Sequence, residues 1–266
     1  MRIGVSTASF YPRVNTEDTL DIMRDLGFNL CEAFLETESE SSEDYAFVLS
    51  ERAKALGVEI YSVHAFSSVF EPFLYDAYDR RRKEMEDKFT KVCRAASVLG
   101  AKYYTFHGMK NMPGKKINIS KVSRQMDYLC EIAEGYGVKV SIENVARCKG
   151  SNIDFLKDLK QHMIKNLYYT LDLKQARLSG VDPYEYLKVY GDNISTVHIN
   201  DASETSPCLL PGEGNANLKE IIQKIHSINK NIPYIIEVYG DNYESFNQIG
   251  RAREHLESLE VLNVKN

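Results

Sequence analysis

Apolar and polar residues follow two alternating periods along this chain. Short runs of β-branched and aromatic residues read as buried strands: "RIGVST" (2–7), "FNLCEAFL" (28–35), "VEIYSVHA" (58–65) and "KYYTFHG" (102–108). They continue with "VKVSIEN" (138–144), "LYYTLDL" (167–173), "ISTVHIND" (194–201) and "PYIIEVY" (233–239). Between them apolar residues recur at helical spacing over 16–26, 77–99, 120–136, 215–228 and 243–259, the first opening on Thr16 as a capping residue. The helical stretches stop at "LGF", "LGV", "LGA" and "YGV", with Gly where a left-handed residue is wanted and a strand directly after it.

Helix, Gly, strand, repeated, predicts consecutive βαβ units and a parallel sheet. Eight such units in 266 residues match a single-domain (β/α)8 TIM barrel spanning 1–266. A doubly wound open sheet is the competitor. The first turn, "STASFYPRVNT", has no G-x-G-x-x-G, which disfavours a dinucleotide-binding version of it.

Composition changes this picture little. The chain is 43% hydrophobic and 27% charged, ordinary for a soluble globular protein. A net charge of −5 disfavours a nucleic-acid partner, whose phosphates demand clustered Lys and Arg. Five scattered cysteines without a C-x-x-C pair fit free thiols in a reducing compartment. With no signal-peptide pattern and no membrane-spanning apolar stretch, a cytoplasmic protein is expected.

The chemistry sits at the strand ends. Strand 3 closes on His64, strand 4 on His107, strand 5 on Glu143, strand 6 on Asp172, strand 7 on His198 and then Asp201, and strand 8 on Glu237. In a barrel these positions converge on the mouth. Glu143, Asp172, His198 and Glu237 follow one another at about one β–α unit each. Glu237 ends an otherwise apolar run, and a buried carboxylate without a partner costs several kcal/mol. Carboxylates with one imidazole repel unless a cation neutralises them, and mixed oxygen and nitrogen donors suit Mn²⁺, Mg²⁺, Co²⁺ or Zn²⁺. The other three histidines, His162, His226 and His255, fall in helical stretches, where a surface role is the default.

The motifs "SVHAF", "TFHG", "SIEN", "TLDLKQA", "VHIND", "LLPGEGN" and "IIEVYG" together resemble the xylose isomerase-like TIM barrels over nearly the whole chain. That family holds sugar isomerases and epimerases, inosose dehydratases and endonuclease IV-type repair enzymes. The resemblance implies one divalent metal ion on Glu143, Asp172, His198 and Glu237, with Glu143 and Glu237 as the acid/base pair on either side of a sugar or sugar phosphate. A metal coordinating a carbonyl and its neighbouring hydroxyl acidifies the intervening C–H through an enediolate. A glutamate then removes the proton, and its return to the adjacent carbon or the opposite face gives isomerisation or epimerisation. His64 and His107 match positions used for substrate hydroxyls or, in the repair enzymes, for additional zinc ions.

Three departures narrow the reading. Gln175 stands where many members carry a histidine; it can bind a substrate hydroxyl but neither titrates nor binds zinc well. Ser206 and Cys208 replace the Asp-X-His that gives the repair enzymes their third metal. Glu204 replaces a substrate-gripping arginine of several epimerases. The expected function is therefore a metal-dependent sugar isomerase or epimerase. Alternatives are a dehydratase or lyase on a polyol, an abasic-site nuclease and a non-catalytic sugar-binding barrel.

Smaller features add candidates. Arg147, Lys149 and Lys174 are cations near the expected mouth, suited to a substrate phosphate or carboxylate but more often solvated loop charges. The Gly-rich "LLPGEGN" (209–215) lacks a P-loop's Lys-Ser/Thr ending; it reads as a tight loop at the mouth, with Glu213 as a candidate substrate contact. "DRRRKEMEDK" (79–88) reads as a solvated, ion-paired helix face. The aromatic cluster Phe66, Phe70, Phe73 and Tyr75 is open between a lid, a contact in a homo-oligomer and core packing.

Overall fold

The computed structural model describes residues 1–66, 69–112, 114 and 116–264. Eight parallel strands close into a barrel in chain order, which makes the protein a TIM barrel. They are β1 (Arg2–Ser6), β2 (Leu30–Leu35), β3 (Glu59–Ala65), β4 (Tyr103–Phe106), β5 (Lys139–Glu143), β6 (Tyr168–Asp172), β7 (Ile194–Ile199) and β8 (Pro233–Ile236). Pairing of β1 with β8, Val5 opposite Ile236, closes the ring.

Several strands stop short of the apolar runs that predict them, because the residues beyond the ladder bond to loops. The 102–108 run ends as a strand at Phe106, since the His107 and Gly108 amides both donate to Glu71 Oε2 at 2.8 Å. The 233–239 run ends at Ile236, and the Val238 amide donates to Ser9 Oγ at 3.2 Å. The 194–201 run ends at Ile199, and Asp201 pairs with Leu209 across a tight loop.

Helices surround the barrel: α1 (Thr16–Asp25), α2 (Glu43–Leu56), α3 (Asp79–Val98), α4 (Ile119–Gly135), α5 (Ile153–His162), α6 (Leu173–Ser179), α7 (Pro183–Tyr190), α8 (Leu218–Ile228) and α9 (Phe246–Val264). Asn15, not Thr16, holds the cap position of α1; Thr16 is already inside the helix and accepts from Thr19 Oγ1 through its carbonyl. Thr16, Thr19, Leu20 and Met23 form the buried stripe of α1, the i, i+3, i+4, i+7 spacing of one helical face. The charged face of α3 carries the expected ion pairs, Arg82 with Asp79 at 2.8 Å and with Glu86 at 3.4 Å. No helix among the described residues is long and apolar enough to cross a membrane.

Strand parity separates core from site. Ala33 and Leu35, Val140 and Ile142, Tyr169 and Leu171, Val197 and Ile199, and Tyr234 and Ile236 belong to the main buried core. The alternate residues Glu32, Glu143, Asp172, His198 and Glu237 leave that core and gather with His64 inside the barrel, as a period of two requires. Leu30 and Ile235, on the same parity as Glu32 and Glu237, pack with Tyr61 and Tyr103 as a separate apolar cluster in the lumen.

Candidate metal centre and active site

The polar strand ends meet at the mouth of the barrel. His198 is the hub. Its Nδ1 lies 2.7 Å from Glu237 Oε2, 3.7 Å from Glu143 Oε1 and 3.8 Å from Asp172 Oδ2. His107 Nε2 approaches Glu143 Oε2 at 2.9 Å, and His64 Nε2 lies 2.7 Å from His107 Nε2. All four predicted metal ligands and both additional histidines therefore share one neighbourhood.

Surrounding residues hold these side chains in place. Asp172 caps α6, its Oδ1 accepting from the Gln175 amide at 2.8 Å, so only Oδ2 faces the cluster. Asn144 exchanges two hydrogen bonds with the Asp172 backbone, locking the ends of β5 and β6 together. A Cβ at Gly150 would stand 2.5 Å from the Glu143 carbonyl oxygen; only glycine lets this loop pass so close beneath Glu143. Glu71, fully buried, accepts from Tyr104 Oη and from the His107 and Gly108 amides, and so fixes where His107 begins.

The cluster is electrostatically unfinished. Seven of its buried atoms make no well-aligned hydrogen bond, even where a complementary group stands 2.7–3.1 Å away: Glu32 Oε1, His64 Nδ1, Glu143 Oε2, Asp172 Oδ2, both ring nitrogens of His198, and Glu237 Oε2. Buried polar atoms are almost always paired, so this concentration points to a missing partner. Burial pushes the Glu143 carboxyl up, but His107 and His198 more than reverse this and hold it well below the usual carboxylate range. Glu237 is lowered in the same way, by His198 and then Lys174 against burial. Burial opposes charge on His198, yet Glu237 and Glu32 raise its pKa well above the usual imidazole value. Without a cation, the site is neutralised by protons on imidazole.

Three overlapping sets of donor atoms lie close enough to share an ion: Glu143, Asp172 and His198; His64, His107 and Glu143; Glu32, His64 and Glu237. The make-up of the first, with Glu237 beside it, is that of a divalent metal site: hard carboxylate oxygens and one imidazole nitrogen.

Other predicted residues lie elsewhere. Arg147 and Glu213 are both exposed, and among the described residues no hydrogen bond or ion pair joins either side chain to the cluster. Glu213 instead accepts from Gln248 Nε2 at 3.0 Å. Gln175 turns its Oε1 to the Ala146 amide at 3.0 Å and so ties α6 to the loop after β5. Asp201 belongs to structure: its carboxylate accepts from the amides of Ala202, Gly212, Gly214 and Ala216 and holds the 209–216 loop. The aromatic cluster splits, with Phe70 buried and Phe66 and Phe73 exposed. Lys174 is not a solvated loop charge. It is 2% exposed, 3.8 Å from Asp172 Oδ2, and donates to Tyr239 Oη at 3.2 Å.

Two buried carboxylates escape a reading confined to strand ends. Glu32 lies inside β2, and Glu71 within an aromatic stretch between β3 and α3. The available signal was the same for both: a lone acidic residue surrounded by apolar ones, in "LCEAFL" and "FEPFLY".

A closed parallel barrel with a buried, metal-like cluster at its mouth is a fold that many enzymes share. Residues 20–262 match the model of the xylose isomerase-like TIM barrel family, and the chain belongs to that family. Uncharacterised protein MJ1311 of Methanocaldococcus jannaschii is 28% identical, covering 100% of this chain and 92% of its own length. Among solved structures, a D-tagatose 3-epimerase-like protein superposes with a TM-score of 0.82 at 24% identity, covering 100% of this chain and 99% of its own. D-psicose 3-epimerase with D-tagatose, from Clostridium cellulolyticum H10, reaches 0.75 at 16% identity, covering 98% and 99%.

Proposed function

We propose that the protein is a divalent-metal-dependent sugar isomerase or epimerase. The observation that carries this reading is the crowding of carboxylates on both sides of His198, with seven buried atoms that make no well-aligned hydrogen bond. Glu143, Asp172, His198 and Glu237 would hold one Mn²⁺, Mg²⁺, Co²⁺ or Zn²⁺ ion. Bound there, the ion supplies a Lewis acid that makes a C–H beside a sugar carbonyl acidic. Glu143 and Glu237, both held ionised, take that proton and return it. His64 and His107 form the wall beside Glu143 and bind substrate hydroxyls. Lys174 presents a fixed positive charge behind Asp172 and Glu237.

Sugar as the substrate class is supported by the structural neighbours, one of which holds D-tagatose. The nuclease reading loses support at Cys208. Among the described residues Cys208 joins none of the donor groups close enough to share an ion, and Ser206 Oγ is turned to the Cys208 carbonyl.

The test is metal content by elemental analysis, followed by a ketose and ketose-phosphate screen in D₂O read by proton NMR. One divalent ion per chain and deuterium wash-in beside a carbonyl are expected. Absence of metal after incubation, together with no wash-in from any sugar, would overturn the proposal.

A further inference from the structure

The side chain that the strand-end pattern misses has a distinctive setting. Glu32 is completely buried, in the barrel lumen beneath the cluster. Its Oε2 accepts from Ser62 Oγ and Thr105 Oγ1, both at 2.7 Å. Two hydroxyl donors on one oxygen fix the carboxylate and favour its ionised form. The other oxygen, Oε1, stands 3.1 Å from His198 Nε2 and 3.5 Å from His64 Nδ1. One oxygen therefore faces a ring nitrogen of two different histidines.

A neutral imidazole carries one N–H and one lone pair, and a neighbouring carboxylate decides which nitrogen takes which. A lone pair turned toward Glu32 Oε1 would meet a full negative charge inside the buried site. A proton turned toward it meets attraction. With protons on His198 Nε2 and His64 Nδ1, the lone pairs fall on His198 Nδ1 and His64 Nε2. Those two nitrogens face Glu143, at 3.7 Å from Oε1 and 3.9 Å from Oε2. His198 Nδ1 also stands 2.7 Å from Glu237 Oε2, so without metal it holds a proton toward that carboxylate, and a cation must replace this proton before the lone pair is exposed.

We propose that Glu32, clamped by Ser62 and Thr105, is a positioning residue that sets the tautomers of His198 and His64 together, so that His198 Nδ1 is free to ligate the metal and His64 Nε2 faces the same pocket. This rests on the metal reading above, and the tautomers are read in the Zn²⁺-bound protein. Carboxylates behind ligating histidines orient the ring and raise its basicity, and their loss commonly weakens metal binding 10- to 100-fold.

The experiment uses the full chain labelled with ¹⁵N at histidine, as wild type, Glu32→Gln and Glu32→Ala. Ring-nitrogen NMR is recorded before and after Zn²⁺ addition at mildly alkaline pH, and Zn²⁺ affinity is measured by competition with a chelating dye. Wild type is expected to carry protons on both His198 ring nitrogens without metal and on Nε2 alone once Zn²⁺ is bound. Glu32→Gln has one acceptor oxygen where Glu32 has two, so it cannot both hold the hydroxyls and face the rings as Glu32 does, and should give tautomers and affinity between those of wild type and Glu32→Ala. Glu32→Ala should give mixed tautomers and bind Zn²⁺ about 10- to 100-fold more weakly.

If Glu32→Ala keeps the wild-type tautomer and affinity, the proposal is wrong. If Glu32→Gln binds as weakly as Glu32→Ala with His198 unchanged, Glu32 is itself a metal ligand and positioning is again refuted. Should Glu32→Ala fail to fold, a Zn²⁺-bound wild type with its His198 proton on Nδ1 refutes the proposal, and one with it on Nε2 and Glu32→Gln behaving as expected upholds it. Absence of Zn²⁺ binding by wild type would overturn the metal reading and this proposal with it, whereas Zn²⁺ binding with a wild-type tautomer in Glu32→Ala overturns this proposal alone.

Discussion

The barrel lumen contains two polar regions that behave in opposite ways. In the middle, hydroxyl groups satisfy one another: Ser141 Oγ pairs with Thr170 Oγ1 at 2.8 Å and with Ser195 Oγ at 2.6 Å, and Thr196 Oγ1 donates to the Pro233 carbonyl. At the mouth, charged groups crowd together and leave seven atoms without a well-aligned hydrogen bond. Both regions are buried inside the barrel, Ser195 reaching it where the β6–β7 register shifts by one residue. The difference teaches how to tell structure from site: a polar interior that closes its own hydrogen bonds supports the fold, and one left open waits for a ligand. Asp201 and Asp172 repeat the contrast within a single rim. The first has both oxygens filled by backbone amides, the second has Oδ2 bare.

That contrast can be broken most sharply at Glu237. Replacing it with Gln should cost about 10³-fold in turnover, in the range of losing a general acid or base, in protein that far-UV circular dichroism shows to be folded. Full activity in Glu237→Gln under saturating metal would put the mouth in the same structural class as the middle.

Asp201→Ala should do the reverse. Removing the acceptor of four amides should cost roughly 2–4 kcal/mol in urea unfolding, with metal content unchanged. Loss of bound metal without loss of stability would place Asp201 among the functional carboxylates.

Metal itself sharpens the comparison next. At a hundredfold excess of free ion over Kd, stability should rise by about 2.7 kcal/mol. Asp172→Asn keeps the cap on α6 and should abolish that gain while leaving the metal-free protein as stable as wild type. A gain that survives in Asp172→Asn would move the ion elsewhere.

The pH dependence has two signs in the metal-free protein. Glu143 and Glu237 have folded pKa values below the usual 4.5, so their contribution is present above that value and lost as pH falls through the lowered ones. His198 lies above its usual 6.5, so its contribution is complete below 6.5 and lost as pH rises through the raised value. Thermal melts of metal-free protein should therefore weaken in alkali. Metal-loaded protein should lose less, because the ion displaces the imidazole proton and binds better as pH rises. Identical alkaline profiles with and without metal would contradict this account. The smallest effect belongs to the surface: Arg82→Ala should change stability by less than about 1 kcal/mol, measurable by urea unfolding, despite its two ion pairs.

Much of this molecule was legible in its residues. The period-two runs and the glycines closing the helices gave eight strands in order, because burial on both faces writes itself into local composition. Glu143, Asp172, His198 and Glu237 stood out as polar endings of apolar runs, and the closed ring brings them to one place. Strand ends and the short helices α6 and α7 did not stand out, because loop contacts such as Glu71 to the His107 amide set them.

What the chain determined alone was therefore the order of its strands, their parity and the kinds of donor at their ends, all of which are properties of sequence neighbours. The tertiary structure decided the rest. Only closure of β8 on β1 sets Glu32 beneath two histidines, turns Lys174 from a loop charge into a buried one, and sends Arg147 and Glu213 to the surface. Those outcomes depend on distances between residues far apart in the chain, and charge and burial act through distance.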